Sequence, residues 1–186
     1  GYYDSSEFAT LAVESTTLPD ERVAEHVADL AEVDPEGVFL PTYATGSTAG
    51  SVATAARAAE LAVFRLLEVG YEPTDVLYAS GSAPIAPVTH DESLAMGRTN
   101  DAVAYGGRVH LQVARDDDRF EQIVSTVRDD YGTPFVEVFE DADWDFYAVP
   151  ESVFAPAQVT VDVVDGPVYT VGETDETLLA ESFGYR

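Results

Sequence analysis

Hydrophobic positions in the first part of the chain form three short apolar runs separated by longer stretches. Residues 8–14, 38–43 and 76–80 are the short runs, and their length predicts β-strands. Residues 18–31 carry an apolar face at helical spacing, and residues 45–69 form an alanine-rich run that predicts one long helix. The order strand, helix, strand, helix, strand predicts an α/β fold with at least partly parallel strand pairing.

The middle of the chain is rich in turn residues and carries shorter patterns. Residues 92–96 predict a short helix that ends at Gly97. Residues 101–105 and 108–114 flank a Gly-Gly pair, which favours a β-hairpin. A run of three aspartates then predicts a helix over residues 116–127.

The C-terminal part adds two predicted helices and a hairpin. Residues 133–141 and 176–183 have helical patterns, and residues 158–171 alternate around a turn, as a hairpin does. The aromatic segment 144–147 is expected to be buried. The whole pattern predicts a layered βαβαβ core with added β-hairpins and short helices.

Prolines indicate how this pattern divides into domains. Pro150 and Pro156 separate the last segment from the α/β core. We therefore expect residues 1–150 to form an α/β domain, and residues 151–186 to form a hairpin-helix appendage that packs on a further N-terminal part. The chain starts with Gly1 and a strand follows closely, as expected inside a longer polypeptide.

The charge balance is strongly acidic, with 35 acidic residues, 9 basic residues that are all arginine, and a net charge of −26. Such a surface cannot neutralise phosphates, which argues against binding of nucleic acids or anionic lipids. Hydrophobic residues make up 46% of the chain and are interleaved with the acids, which indicates a folded core rather than a disordered tail. An acidic shell of this kind is expected where cytoplasmic salt is high and screens the self-repulsion.

Residue types also restrict the metal chemistry and the location. There is no cysteine, and His26, His90 and His110 have no ligand spacing, so we expect no metal site. His90 and His110 also lack a visible triad partner and are expected to be structural or solvated. No apolar run is long enough to span a membrane and no signal peptide is visible, which predicts a cytoplasmic protein.

The loop at Gly46 and Gly50 precedes the alanine-rich run, and free N–H groups at such a helix start can bind an anion. It is not a phosphate-binding loop, because no lysine follows Gly50, and not a nucleophile elbow, because Thr48 occupies the central position. The alternative, more common in such loops, is that Ser47 or Thr48 caps the helix and the glycines allow close packing.

Arg57 and Glu60 are the first candidates for chemistry. They are three positions apart, so their side chains can touch on one helical face. The alternative is an exposed ion pair that contributes about 0.5 kcal/mol or less. Arg65 and Glu68 repeat the spacing, so spacing does not choose between the pairs, although the alanines around the first pair leave room for a ligand.

Several motifs, taken together, are similar to those of one enzyme family. Loops such as residues 81–88 can be ordinary turn chemistry, and no single motif is decisive. The motifs are Thr-Ala-Gly-Ser-Val at 48–52, Ala-Arg-Ala-Ala-Glu at 56–60, Gly-Ser-Ala-Pro-Ile-Ala-Pro-Val at 81–88, Ala-Met-Gly-Arg-Thr-Asn-Asp at 95–101, Tyr-Gly-Gly at 105–107, Asp-Tyr-Gly-Thr-Pro-Phe at 130–135 and Phe-Ala-Pro-Ala at 154–157. In this order, the set resembles methenyltetrahydromethanopterin cyclohydrolase of one-carbon metabolism.

The resemblance implies a fold, an activity and an assembly. It implies the C-terminal portion of a polypeptide with two α/β domains, a pterin cleft between them, and a homotrimeric assembly. The implied reaction converts the 5,10-methenyl cation of tetrahydromethanopterin and water to the 5-formyl compound, with no metal or separate cofactor. The absence of lysine and the acidic excess point to a haloarchaeal version.

The resemblance also implies site residues. The catalytic arginine and glutamate of the family map onto Arg57 and Glu60. We expect Glu60 to act as the base toward the attacking water, and Arg57 to hold and aim its carboxylate. Arg98 and Arg108 are expected to bind the anionic tail of the carrier. The expected substrate-binding residues are Ala83, Pro84, Arg98, Asn100, Asp101, Tyr105 and Arg108.

Two other functions fit the same residues. The chain could be a non-catalytic fragment that acts as a pterin-binding or assembly module, or a pterin- or nucleotide-dependent transferase that uses the Gly46 loop. A further α/β domain upstream in the gene would favour the cyclohydrolase. Titration with phosphate-bearing ligands and with a pterin would separate the transferase from it.

Overall fold

The computed structural model describes residues 5–185, apart from the side chain of Phe146. Within this range the chain forms eight strands and six α-helices. The strands are β1 (Ala9–Thr10), β2 (Val13–Glu14), β3 (Val38–Phe39), β4 (Thr42–Tyr43), β5 (Val76–Ser82), β6 (Arg108–Val113), β7 (Gln158–Val163) and β8 (Val168–Gly172). The helices are α1 (Glu21–Ala31), α2 (Thr48–Ala56), α3 (Ala58–Glu68), α4 (Glu92–Gly106), α5 (Phe135–Asp141) and α6 (Glu176–Ser182).

The strands form one four-stranded sheet and two short pairs. The order in the sheet is β5-β6-β7-β8, in which the central pair is parallel and the outer pairs are antiparallel. β1 pairs with β3, and β2 with β4, both in parallel. The predicted α/β class with partly parallel pairing is therefore confirmed. The apolar runs at 8–14 and 38–43, however, form these short pairs outside the main sheet.

The core lies between the four-stranded sheet and the helix α3. Alternate residues of β6 and β7 are buried, and the residues between them are more exposed, as the period of a strand requires. Each large aliphatic side chain buried there stabilises the fold by about 1.5–3 kcal/mol. The core includes Leu61, Leu66, Val109, Leu111, Val113, Val159, Val161 and Val163.

Two predictions for the middle of the chain were wrong because α4 continues through Gly97 to Gly106. The expected hairpin about the Gly-Gly pair is therefore absent, and only its second strand, β6, forms as predicted. Gly97 is tolerated inside the helix because α5 packs over it: a Cβ there would lie 3.0 Å from the Cβ of Val136. The residues expected to form the first strand, 101–105, are instead the buried last turns of α4.

The prediction of a helix over residues 116–127 is also wrong. Only two 3₁₀ turns form, Phe120–Ile123 and Ser125–Val127. Tertiary hydrogen bonds replace helical ones here, because the Ser125 N–H donates to the Pro156 carbonyl and the Ser125 hydroxyl donates to the Ala104 carbonyl. Backbone groups that find partners in neighbouring segments do not need a continuous helix.

The C-terminal helices and hairpin form as predicted, but the hairpin is not attached outside the sheet. β7 pairs with β6 along its whole length, from Arg108 with Gln158 to Val113 with Val163. The expectation that β7 and β8 belong to an appendage was therefore wrong, since β7 is an inner strand. The packing of residues 151–186 on a further N-terminal part stays a prediction.

The aromatic segment 144–147 is not buried as expected. Trp144 is 46% exposed and Tyr147 is 97% exposed. Phe146 is the one residue of this segment whose side chain lies outside the described structure. Trp144 nevertheless packs edge-on against Phe139, with ring centroids 5.3 Å apart.

The loop before α2 has the capping role that the sequence left open. The Gly50 N–H donates to Ser47 Oγ at 3.0 Å, so Ser47 caps the helix. A Cβ on Gly46 would collide with the Thr89 carbonyl, and one on Gly50 would collide with backbone of the preceding loop. The glycines therefore serve close packing, as that interpretation predicts.

Candidate active site

Arg57 lies where α2 ends and α3 begins, so the single long helix predicted here is wrong at this residue. The Arg57 N–H donates to the Thr54 carbonyl at 3.1 Å, which is the spacing of a 3₁₀ turn, and the Arg57 carbonyl accepts from the Leu61 N–H at 2.8 Å. The backbone of β5 lies against the start of α3, because a Cβ on Gly81 would approach the Ala59 nitrogen to 2.8 Å. Alanine propensity alone favours a continuous helix, so the break depends on tertiary packing that the local sequence does not contain.

The break changes the electrostatic setting of Glu60. Instead of lying in the middle of one long helix, Glu60 lies in the first turn of α3. The positive end of the helix dipole is therefore beside its carboxylate, where negative charge is favourable.

Arg57 holds the Glu60 carboxylate at two points. Nε donates to Oε2 at 3.1 Å, and Nη2 donates to Oε1 at 2.8 Å. The hydrogen bond with Glu60 raises the pKa of Arg57, while partial burial opposes this effect. The two side chains are 50% and 61% exposed, and an ion pair this exposed contributes about 0.5 kcal/mol or less to stability. Its geometry is thus more informative about function than about folding.

The pair opens on a cavity of about 370 Å³, a size suited to a small organic ligand. One wall comes from α2 and α3, and a second comes from Met96, Thr99 and Asn100 on one face of α4. Apolar side chains line most of its inner surface, and four charged side chains also border it. The lining residues are Glu14, Thr54, Arg57, Glu60, Leu61, Phe64, Met96, Thr99, Asn100, Tyr147, Val149, Glu151 and Phe154.

Glu14 brings a second carboxylate to this cavity from β2. It accepts a hydrogen bond from the Thr45 hydroxyl, and its register partner in β4 is Tyr43. Burial raises the pKa of Tyr43, and the negative charge of Glu14 raises it further, whereas the charge of Arg57 lowers it. These residues therefore share one electrostatic environment.

The other Arg-x-x-Glu pair is arranged differently. Arg65 Nη2 donates to the Gln122 carbonyl at 3.4 Å, and burial lowers the pKa of Arg65. Glu68 shares a hydrogen bond with Glu151, which raises the pKa of Glu68. Neither Arg65 nor Glu68 lines the cavity. The structure thus separates two pairs that the sequence spacing could not.

Two other concave regions of the described chain have larger volumes but a different chemical character. One of about 550 Å³ is bordered by Asp116, Asp117 and Asp118, and one of about 820 Å³ runs along α6. Neither of these joins a cation and a carboxylate in a two-point contact at an apolar surface. We therefore place the candidate active site at Arg57 and Glu60.

Known proteins match almost the whole chain. The family described as "Cyclohydrolase (MCH)" matches residues 1–183. A methenyltetrahydromethanopterin cyclohydrolase from Halobacterium salinarum is 57% identical over 98% of this chain, which covers 59% of that relative. The proteins of that name from Methanospirillum hungatei and Methanothermobacter marburgensis are 40% and 38% identical over 100% and 99% of the chain, which covers 60% of each.

The chain belongs to the cyclohydrolase family. It spans about three fifths of the length of these curated relatives. The resemblance to this family that the sequence predicted is therefore confirmed.

Of the residues that the cyclohydrolase resemblance assigned to substrate binding, Asn100 lines the cavity with Arg57 and Glu60. Its Nδ2 donates to the Met96 carbonyl at 2.9 Å, which leaves its Oδ1 outside that bond. Arg98 points to another partner, since its Nε donates to the Ser182 carbonyl at 3.1 Å. The structure does not bring Arg98 to the cavity, and its role toward the carrier tail stays a prediction.

Asp101 and Tyr105 are buried in the packing of α4. Asp101 Oδ1 accepts from the Phe135 N–H at 3.0 Å, and Oδ2 accepts from the Ser182 hydroxyl at 2.7 Å. Burial raises the pKa of Asp101 to about 6 and that of Tyr105 to about 12. The Tyr105 hydroxyl donates to the Thr133 carbonyl at 2.9 Å. Both residues join α4 to neighbouring segments, away from the cavity lining.

The remaining assigned residues also lie outside this cavity. Ala83 packs against the main core, and Pro84 packs over Gly106, where a Cβ would lie 2.7 Å from its ring. Arg108 is exposed at the start of β6, and its Nη2 donates to Thr174 Oγ1 at 3.1 Å. Their contact with a substrate stays a prediction.

Sequence reasoning missed several cavity residues. Met96 and Thr99 are three positions apart, the spacing of one helical face, but the helix was predicted to stop at Gly97, which hid that signal. Glu14 had no signal, because nothing in a strand sequence shows which loop its last residue will face.

Within residues 5–185 no helix is long and apolar enough to cross a membrane, and no group of three or more acidic or histidine side chains is placed to hold a metal ion.

Proposed function

We propose that the protein containing this chain hydrolyses the 5,10-methenyl group of tetrahydromethanopterin to the 5-formyl compound. The observation that carries the proposal is the two-point contact of Arg57 with Glu60 at an apolar cavity. Family membership supports it, because the relatives are named for this substrate. In this role the enzyme is a hydrolase acting on a cyclic amidine.

Water is the nucleophile in the proposed reaction. The methenyl carbon lies between two nitrogens in an amidinium-like cation, so it is already electrophilic. What the reaction needs is a water molecule that is held and deprotonated as it attacks. Glu60 accepts that proton as the new C–O bond forms, a role worth typically 10²–10⁴ in rate.

The protons and bonds then balance through a tetrahedral intermediate. Glu60 passes its proton to the nitrogen at position 10, and the bond from that nitrogen to the carbon breaks. The remaining hydroxyl proton leaves to solvent as the formyl C=O forms. The sum is one cation and one water consumed, with one neutral formyl compound and one proton produced.

Arg57 positions Glu60 in this scheme. Its Nε and Nη2 hold the carboxylate, and Nη1 remains outside those two bonds. That group can donate to the oxygen that develops on the carbon. The chemistry requires no metal and no separate cofactor, so we propose that the pterin carrier, as substrate, is the ligand of the site.

The surroundings of the enzyme form part of the same proposal. The net charge of −26 and the Halobacterium relative support a haloarchaeal, cytoplasmic enzyme that works in concentrated salt. We also propose a homotrimer in which a further N-terminal α/β domain completes the pterin cleft.

A non-catalytic pterin-binding or assembly module is the alternative function. An assay in concentrated KCl distinguishes the cyclohydrolase from the module. It uses the full-length natural protein and this chain alone, and the 5-formyl product is identified by mass. Turnover by the full-length protein supports the enzyme. Binding of the methenyl cation without formation of the formyl compound supports the module.

A further inference from the structure

Glu14 is a carboxylate of the cavity that the proposed proton transfers do not use. It ends β2, and its side chain accepts a hydrogen bond from the Thr45 hydroxyl. Its charge acts on Arg57 and Tyr43, since it raises the pKa of both. Glu14 is therefore close to the reacting groups without being bonded to them.

The lining of the cavity carries more carboxylates than cations. Arg57 makes its ion pair with Glu60, and within residues 5–185 Glu14 forms no ion pair. Two carboxylates thus face one guanidinium. A site with this balance attracts a cation more strongly than a neutral molecule of the same shape.

We propose that Glu14 determines specificity for the charge of the ligand, by favouring the methenyl cation over the neutral formyl compound. This inference rests on the proposed function, because it concerns the substrate of that reaction. The cation loses its charge as the water oxygen adds, so a carboxylate that only attracts the cation strengthens substrate binding without lowering the barrier from the bound state. Because the formyl product is neutral, the same attraction does not hold it in the cavity.

Glu151 also lines the cavity but differs from Glu14 in its contacts. Its carboxyl group shares a hydrogen bond with Glu68, which lies outside the cavity lining. The charge of Glu151 acts on Glu68 and Arg65, two residues outside the cavity lining, whereas that of Glu14 acts on Arg57. Glu14 is the carboxylate of the lining whose hydrogen-bond partner, Thr45, is a neutral hydroxyl.

The test uses the full-length natural protein with Glu14→Gln, Glu14→Asp and Thr45→Val. Thr45→Val is the matched control, because it removes the hydrogen bond to Glu14 and keeps the charge. We expect Glu14→Gln to raise KM and Kd for the methenyl cation roughly three- to fivefold, as one exposed charge allows. We expect kcat to stay within about twofold and Kd for the formyl compound to stay unchanged. Glu14→Asp should restore most of the affinity, and Thr45→Val should behave like the wild type.

Three results would overturn the inference. Glu14→Gln could lower kcat without changing KM, it could weaken the cation and the neutral compound equally, or Thr45→Val could reproduce its effect. The binding measurements are independent of turnover. In one further outcome, the wild type fails to produce the formyl compound while Glu14→Gln still binds the cation more weakly than the wild type does. That result would refute the hydrolysis and leave the charge selectivity standing.

Discussion

Arg57 and Glu60 meet at a helix junction rather than along one helix, because α2 ends and α3 begins at the arginine itself. The arginine backbone joins the two helices while its side chain holds the carboxylate one turn further on. The position of the proposed base is therefore set by the end of one helix and the start of another.

Glu60→Gln should lower kcat by at least 10², because an amide cannot accept the proton of the attacking water. The affinity for the methenyl cation should change far less than the rate, and the melting temperature should change little, given the exposure of the pair. Steady-state kinetics and equilibrium binding on the full-length protein measure these quantities. Glu68→Gln is the matched control and should retain near-normal turnover. A Glu60→Gln enzyme with near-normal kcat would remove Glu60 from the mechanism.

Arg57→Lys keeps the positive charge and loses the two-point contact. A lysine ammonium holds a carboxylate as a point charge, so Glu60 should be less well aimed and kcat should fall by about 10-fold or more. Arg65→Lys is the control in the second pair. Comparison of kcat and KM for both variants measures the effect, and equal activity of Arg57→Lys and the wild type would contradict a positioning role.

Asp101 should make the protein less stable as pH rises through the range of its titration. Burial raises its pKa in the folded chain from 3.8 to about 6, so the folded state holds the proton more tightly than the unfolded state. Its contribution to stability is therefore complete below pH 3.8 and is lost as pH rises through about 6. The loss is at most about 3 kcal/mol at neutral pH.

Asp101→Asn tests this titration, because the amide can keep the bonds with Phe135 and Ser182 and carries no charge at any pH. Relative to the wild type, the variant should be more stable at pH 7 to 8, and this advantage should shrink towards pH 4. Thermal unfolding of both proteins at matched salt gives the difference directly. A difference that is constant across this pH range would show that burial does not raise the Asp101 pKa.

Gly81→Ala should disturb the start of α3. A Cβ there would lie 2.8 Å from the Ala59 nitrogen and 3.2 Å from the Ala58 Cβ, so β5 or α3 has to move. Overpacking of this kind costs about 1–3 kcal/mol, and a shift of Glu60 should also lower kcat. Ser82→Ala, at the next position of β5, is the control. Unchanged melting temperature and kcat in Gly81→Ala would show that this contact does not position the site.

Potassium chloride should stabilise the fold strongly. The net charge of −26 causes self-repulsion, and the screening length falls from about 10 Å at 0.1 M salt to about 3 Å at 1 M. We expect the melting temperature to rise steeply over this range and more slowly above it. Thermal unfolding measured in KCl between 0.1 and 3 M checks this, and a flat dependence would contradict an acidic shell adapted to salt.

The sequence predicted elements whose signals are local. Helix α1, with Asp20 as its cap, and the hairpin of β7 and β8 lie where hydrophobic period and turn residues placed them. The failures at Gly97 and Arg57 share one cause. Gly97 predicts the end of a helix, but it lies inside α4 and makes room for α5. The alanines around Arg57 predict one continuous helix, but the helix is interrupted where β5 packs against it. Each outcome depends on a segment far away in the chain.

The candidate site, like the fold, could be predicted from the sequence only in part. Arg57 and Glu60 could be named because their spacing and the family motifs agree, and Asn100 followed from the motifs alone. Glu14 could not be named, since its approach to Arg57 depends on the parallel pairing of β2 with β4. Charge effects between segments distant in sequence become visible only once the fold has placed them.

The parallel pairing of β6 with β7 has a consequence for the newly made chain. Partner residues of these two inner strands are about fifty positions apart in the chain, so the ribosome releases β5 and β6 well before β7 exists. Until then, β6 presents an open edge of unpaired backbone groups, which is a site for mistaken pairing with other chains. A nascent chain halted before residue 158 therefore exposes this edge, and the dense negative charge along the chain opposes its pairing with other copies.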